Sequence, residues 1–434
     1  MSLFLRHLRP LANLGQAAPN AALQVQTIFR NVSNSTNSSE PKVKAAEANS
    51  RDGHSFSVSF TADSVPRWEH ELGVIRTDWT REEVSQVYQT PFLDLVHKAA
   101  VVHRMYNDPQ MVQRCTLLSI KTGGCPENCN YCSQSSHWSK ETGMKAEKLM
   151  GLEEVYEAAI RAREAGSTRF CMGAAWRGPS QVGERQWDRV LDMVRKIRGL
   201  GMEVCTTLGM LTPEQAKELR EAGLTAYNHN LDTSPEYYGK VTTTRKYSDR
   251  LETLQNVREA GISVCAGGII GLGEGEQDRV GLIHQLATLP AHPESVPINR
   301  LVAVKGTPFQ GNEPPSGLDL VRCIATARIV MPRTVVRLSA GRLNLSIADQ
   351  ALAFMAGANS IFDGDKLLTT ANNNRNEDVE MFETLGLRSR PAFLPYASGN
   401  ESSRKFDQPP EKLNKSETNA GCCVVDIKSA CYSS

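Results

Sequence analysis

Cys125, Cys129 and Cys132 fall within eight residues, in the run Cys125-Pro126-Glu127-Asn128-Cys129-Asn130-Tyr131-Cys132. The C-x3-C-x2-C spacing places three thiolates on one short loop. Thiolates are soft donors that suit iron–sulfur clusters or zinc. A four-iron cubane takes four ligands. Three protein ligands would leave one iron open to a reactant, and chemistry would happen there.

Three more cysteines recur inside short apolar runs. Cys171 lies between Phe170 and Met172, Cys205 between Val204 and Thr206, and Cys265 between Val264 and Ala266; Arg337 sits between Val336 and Leu338. Side chains alternate across a strand. If these neighbours face outward, the three thiols and the guanidinium face inward, from strands two, three, five and seven. A buried arginine needs a partner, and thiolates around a metal would be one. Each cysteine taken singly reads as a small apolar residue. Their recurrence at equivalent strand positions, with an arginine, points to a second metal site.

Asn228, Asn230 and Asp232 alternate along Tyr227–Asp232 and share one face. Amides and carboxylates at a barrel mouth bind polar ligands such as ribose hydroxyls or a urea ring; the plainer reading is an Asn/Asp-rich loop. Asn299, in Val296-Pro297-Ile298-Asn299, is a similar amide. The glycines from Gly267 to Gly273 do not make a dinucleotide loop, because Glu276 stands where G-x-G-x-x-G needs its last glycine. Small residues here would let a planar ring approach the backbone.

Elements that could position these residues follow from the rhythm of the chain. Short apolar runs at 116–120, 168–172, 203–207, 225–230, 262–269, 297–303, 334–338 and 359–362 read as strands. Helical patterns fill 153–165, 186–199, 213–222, 249–260, 277–289, 318–331 and 347–356 between them. Three of these helices close on Glu-Ala-Gly, at Gly166, Gly223 and Gly261. The alternation predicts an α/β fold, a (βα)8 TIM-type barrel; an open doubly wound sheet is the rival. Two short helices are expected ahead of the first strand, one opened by the capping box Thr80–Glu83. The domain reading is presequence and linker over 1–65, barrel with its N-terminal helices over 66–387, and a disordered tail over 388–434.

Composition narrows the classes. The formal net charge of +1 gives no electrostatic argument for nucleic acid or an anionic membrane surface, and no apolar run reaches transmembrane length. Eleven cysteines, an odd number spread through a long chain, argue for reduced thiols in metal work rather than a disulfide scaffold. The first acidic residue is Glu40, while Arg6, Arg9 and Arg30 punctuate Leu, Ala, Ser and Asn. That bias looks like a mitochondrial presequence, so the expected location is the mitochondrial matrix. Cys422, Cys423 and Cys431 read as stray thiols of the tail.

Longer strings then sharpen the picture. CPENCNYCSQSS at 125–136, RFCMGAAW at 169–176, YNHNLDTS at 227–234, GIIGLGE at 268–274 and VRLSAGR at 336–342 occur in that order. In these, from about residue 70 to 387, the chain resembles the biotin synthases of the radical S-adenosylmethionine superfamily. The resemblance implies conversion of dethiobiotin to biotin by radical sulfur insertion, the last step of biotin synthesis. It implies a 4Fe–4S cluster on Cys125, Cys129 and Cys132, whose open iron binds S-adenosylmethionine. It implies a sulfur-donating 2Fe–2S cluster on Cys171, Cys205, Cys265 and Arg337. Cofactor contacts would come from Tyr131, Asn230, Asp232, Arg250 and Gly271, and substrate contacts from Asn230 and Asn299. Expected partners are a reduced ferredoxin or flavodoxin-type donor, iron–sulfur assembly proteins and a second copy in a homodimer. Ser133 and Asp363 depart from the commoner residues of that pattern.

Three other readings compete. Lipoyl synthases carry an additional upstream three-cysteine motif, and here only Cys115 precedes Cys125. A structural zinc site would use Cys125, Cys129, Cys132 and His137 and would be closed to ligand. A barrel that merely binds S-adenosylmethionine would have no need of Cys171, Cys205, Cys265 and Arg337.

Overall fold

The computed structural model describes residues 65–394. The expected presequence, most of the linker and the tail cysteines lie outside the described residues.

Nine strands form the barrel: β1 (Met111–Lys121), β2 (Arg169–Ala174), β3 (Glu203–Thr207), β4 (Ala226–Asn228), β5 (Ser263–Cys265), β6 (Gly268–Ile270), β7 (Ser295–Arg300), β8 (Val335–Leu338) and β9 (Ala358–Phe362). All their pairings are parallel, in the order β1-β2-β3-β4-β5-β7-β8-β9, and β9 returns to β1 with Gln113 opposite Ser360. Both β5 and β6 pair with β7, so they count as one interrupted stave. The sheet closes on eight staves, which bears out the closed barrel over the open sheet. The interruption falls at Gly267, where a Cβ would collide with the Pro297 carbonyl. The expected strand over 262–269 is therefore two short ones.

Helices follow the strands as crossovers. Capping boxes at Thr212, Ser316, Ser346 and Asn374 open four of them, and Thr80 opens the helix Arg81–Gln89 that precedes the barrel together with Phe92–Tyr106. Gly166, Gly223 and Gly261 close three helices at φ 93°, 94° and 74°, a region costly for any side chain with a Cβ. No helix among the described residues is long and apolar enough to cross a membrane.

Side-chain alternation divides the interior in two. Phe170, Met172, Val204, Val264, Ala266, Val336 and Leu338 join the main core between strands and helices. Cys115, Cys171 and Cys205 form a separate buried cluster inside the barrel with Ala226, Phe362 and Leu367. The strand thiols thus face the lumen.

Among the boundaries that differ from the sequence reading, two bear on the site and the base of the barrel. β4 ends at Asn228 because the chain bends beyond it; Asp232 adopts φ 66° and its carbonyl accepts from the Ile269 amide at 2.8 Å. At the other end, Arg388–Ser389 makes a short strand β10 beside Met111 and Val112 of β1. The Phe393 amide donates to buried Glu203 at 2.9 Å. Residues 388–394 are thus built onto the foot of the barrel.

Candidate active site

At the mouth, the cysteine loop leaves the C-terminal end of β1 and is tied down by its own backbone. The Cys125 amide donates to Gln134 O at 2.9 Å, the Ser136 amide to Cys125 O at 2.7 Å, and the Cys132 amide to Cys129 O at 3.0 Å. The residues between the cysteines hold the loop from outside. Asn128 accepts at its side-chain oxygen from the amides of Thr243 and Thr244, at 2.9 and 3.2 Å. Glu127 is buried; it takes Arg177 at 2.8 Å, pairs with Arg245 at 3.4 Å and accepts from the Thr244 hydroxyl. Arg245 also donates to Cys129 Sγ at 3.4 Å. Sequence reasoning passed over Glu127, Arg177 and Arg245; the signal available was charged residues beside the cysteine run and in the loop 242–246.

Burial, and then the neighbouring Cys129, push the Cys132 thiol up to about 12; burial raises Cys125 as well. The resistance of Cys125 and Cys132 to deprotonation is what a cationic metal centre would relieve. Zinc fits less well. His137 Nε2 lies 3.1 Å from Pro126 O. Among the described residues no three His, Cys, Asp or Glu side chains converge tightly enough for a single ion. An iron–sulfur cluster spans several metal ions, so its thiolates stand farther apart than those of a single-ion site.

Deeper in, the lumen carries a row of thiols. Cys171 and Cys205 are direct register partners on β2 and β3. Hydrogen-bonding reach links Cys115 to Cys171, Cys171 to Cys205 and Cys205 to Cys265. Arg337, fully buried, donates from Nε to Ser360 at 2.9 Å and lies 3.9 Å from Cys265 Sγ and 3.4 Å from Cys115 Sγ. The bond from Cys205, reinforced by Arg337, pulls Cys265 down to about 6 against its burial. Cys171, although bonded by Cys115, is pushed up to about 12 by its bond to Cys205 and by burial; Cys205 reaches about 12 in the same way, through Cys265. The row therefore holds one thiolate most readily at Cys265, which takes a bond from Cys205 and lies 3.9 Å from the Arg337 guanidinium. Donor softness and burial fit an iron–sulfur group here.

One cavity of about 290 Å³ joins the two regions. Tyr131 and Cys132 line it at the mouth, Cys171, Cys205 and Arg337 at depth, and Asn228, Asn230 and Asn299 between. Asn230 accepts from the Gly267 amide at 3.2 Å, and Asn299 donates to Gly268 O at 2.9 Å while accepting from the Ala340 amide at 3.2 Å. Each amide is thereby fixed in orientation. Asp232 and Arg250 form a buried ion pair, and Arg250 also donates to the Tyr238 hydroxyl at 2.7 Å. Neither lines the cavity; they sit in its wall, near Tyr131. Gly271 is outside it too, with its amide bonded to Glu274 at 2.8 Å. Ser133 bonds Thr369 across the rim at 3.1 Å, and Asp363 pairs with Arg114 at 2.6 Å, so both departures have local partners.

Residues 119–286 match the Radical SAM superfamily, and residues 297–388 match the Biotin and Thiamin Synthesis associated domain. The chain is 57 % identical over 341 residues to the biotin synthase of Cytophaga hutchinsonii, covering 79 % of this chain and 99 % of that one. It is 60 % identical over 332 residues to the mitochondrial biotin synthase of Arabidopsis thaliana, covering 76 % and 87 %. The chain belongs to the biotin synthase family. The Schizosaccharomyces pombe biotin synthase is 52 % identical over 79 % of this chain. Among solved structures, methylornithine synthase superposes with a TM-score of 0.63 at 18 % identity, covering 74 % of this chain and 97 % of that one. The hydrogenase maturase of Carboxydothermus hydrogenoformans gives 0.62 at 19 %, covering 76 % and 78 %. Those two share the fold of the biotin synthase family member described here.

Proposed function

We propose that this chain makes biotin from dethiobiotin by radical sulfur insertion, with the two thiol regions as its two working ends. One observation carries the reading: a single cavity runs from Cys132 to Cys171, Cys205 and Arg337, with fixed side-chain amides between. Cys125, Cys129 and Cys132 would hold a 4Fe–4S cluster, and Cys171, Cys205, Cys265 and Arg337 a 2Fe–2S cluster. When bound, the first supplies the electron that cleaves S-adenosylmethionine to a 5′-deoxyadenosyl radical, and the second supplies the sulfur.

The residues of the chain do the positioning. Asn230 and Asn299 present amide groups to the cavity at fixed angles and suit a ureido ring or ribose hydroxyls. Asp232, beside Asn230, would meet the ribose once Arg250 turns toward the methionine carboxylate. Tyr131 covers the mouth, and the glycines from Gly267 to Gly273 keep the neighbouring backbone bare. A closed, largely apolar lumen keeps water and loose side chains from a carbon radical. Iron and sulfide analysis with Mössbauer spectroscopy on anaerobically purified protein tests the reading. Two distinct cluster types and biotin formation are expected; one cluster type, or none, would refute it.

The partners follow from the same reading: a reduced ferredoxin or flavodoxin-type donor, cluster assembly proteins and a second copy of the chain. The arginine-bearing, acid-free leader supports import into the mitochondrial matrix. Uptake by isolated mitochondria tests that, and a chain lacking residues 1–39 should stay outside.

A further inference from the structure

We propose that the cleft between Lys121, Trp176 and Gln181 is the docking surface for the electron donor, an acidic protein that approaches the cysteine loop from outside the reactant cavity. The proposal rests on the reading of the mouth as the seat of an electron-accepting centre. The loop faces two separate cavities. Tyr131 and Cys132 line the reactant cavity. Gly124 and Pro126, the chain neighbours of Cys125, line a second cavity of about 430 Å³. Lys121 at the end of β1 and Trp176, Arg177 and Gln181 beyond β2 complete its wall. No residue lines both cavities.

The cleft carries positive charge without a matching acid. Lys121 is half-buried, and its ammonium donates to two carbonyls, that of Gly123 and that of Ala175 at 3.4 Å. Among the described residues no carboxylate pairs with it. Arg177 is the second cation of the wall, held by Glu127 and by Thr244 O, each at 2.8 Å. No acidic side chain lines the cleft. Glu127 is spent on Arg177 and Arg245, and Glu184 stands exposed at the start of the helix Glu184–Gly199. An ammonium partly withdrawn from water, with only carbonyl partners, favours an incoming carboxylate. Half-buried Trp176 adds the aromatic contact that interfaces favour. Electron-transfer encounters bury little surface and are steered by charge, so a cleft of this kind is enough. Its position has a chemical reason as well. The electron must arrive while the reactant cavity is filled and closed to water. A donor seated over the cleft reaches the neighbours of Cys125 without opening that cavity.

The test times reduction of the mouth centre in the anaerobic full chain by two reagents: a reduced plant-type 2Fe–2S ferredoxin, which is acidic, and reduced methyl viologen, a small cation. Gln181→Glu combined with Gln186→Glu puts two negative charges on exposed positions of the cleft. Lys305→Glu reverses an exposed charge next to Val304 of the reactant cavity instead. At low salt the ferredoxin rate should fall roughly tenfold in the cleft variant and stay within about twofold of wild type in Lys305→Glu. The viologen rate should fall in neither. In the wild type, the ferredoxin rate should drop as salt rises, a reading that needs no variant. An unchanged ferredoxin rate in the cleft variant, an equal loss in Lys305→Glu, an equal loss with viologen, or a wild-type rate indifferent to salt would each overturn the proposal. A wild-type mouth with no reducible centre would overturn the functional reading along with it, whereas a reducible centre reached equally fast past the altered cleft overturns this proposal alone.

Discussion

The mouth and the lumen both gather cysteines, by opposite means. At the mouth, three thiols come from eight consecutive residues, and their arrangement is held by side chains outside the run: Glu127 between Arg177 and Arg245, and Asn128 against Thr243 and Thr244. In the lumen, each thiol comes from a different strand, and the β-ladder alone sets the spacing. A loop site is adjustable by local electrostatics. A strand site is as rigid as the barrel, so its chemistry is altered only by changing a donor. On the proposed reading, the mouth would leave one position open to a reactant, while the lumen would hold a consumable group without collapsing when it is spent.

The largest expected break of this contrast is Cys129→Ala. It should cut 5′-deoxyadenosine formation under reducing conditions by at least ~10³-fold, about 4 kcal/mol of barrier, while lumen iron is unchanged. Next comes Cys265→Ala, which should lower biotin yield by roughly 100-fold, about 2.7 kcal/mol, yet leave S-adenosylmethionine binding intact by equilibrium dialysis. Normal biotin yield would remove the lumen from the reaction. A finer effect separates charge from scaffold at the mouth. Arg245→Gln removes a donor to Cys129 and should make the mouth centre harder to reduce, whereas Glu127→Gln removes a negative charge and should make it easier. Each shift should be about tenfold in the reduced fraction, ~59 mV for one electron. Shifts of the same sign in a redox titration would mean that both residues act only as scaffold.

The smallest effect is a pH dependence of the mouth wall. His229 is buried, its Nε2 has no hydrogen-bond partner, and burial with the nearby Arg250 and Arg245 holds its pKa well below the ordinary value. The unfolded chain takes that proton near pH 6.5 and the folded chain does not. The contribution of His229 to stability should be full above pH 6.5 and decline below it, by up to about 1.4 kcal/mol per pH unit. Urea midpoints measured from pH 7.5 to 5 check this; His229→Gln should reduce the slope by one proton's worth.

Legibility in the sequence followed the same division. The mouth motif is local, so its spacing alone suggested the chemistry. The lumen was legible through strand alternation, because Phe170, Met172, Val204 and Val264 signalled which way Cys171, Cys205 and Cys265 point. Cys115 escaped that logic. It precedes the expected first strand at 116–120, and the pairings of Gln113, Arg114 and Cys115 with β9, and of Met111 and Val112 with Arg388 and Ser389, show how far β1 extends. Likewise alternation puts Asp232 on one face with Asn230, whereas the bend at φ 66° sets it in the cavity wall, paired with Arg250. Long-range ion pairs such as Arg177–Glu127 leave no periodic trace in a sequence.

Behind the lumen, buried Glu203 pairs with Arg169 at 2.6 Å on one side and takes the Phe393 amide on the other. On the proposed reading, the last described turn of the chain would act as a stopper in the base of a vessel whose contents must stay dry. A chain cut after Leu387, where the sequence pattern fades, would keep every cysteine of both sites and still leak. Its oxygen sensitivity, more than its folding, should reveal the missing seal.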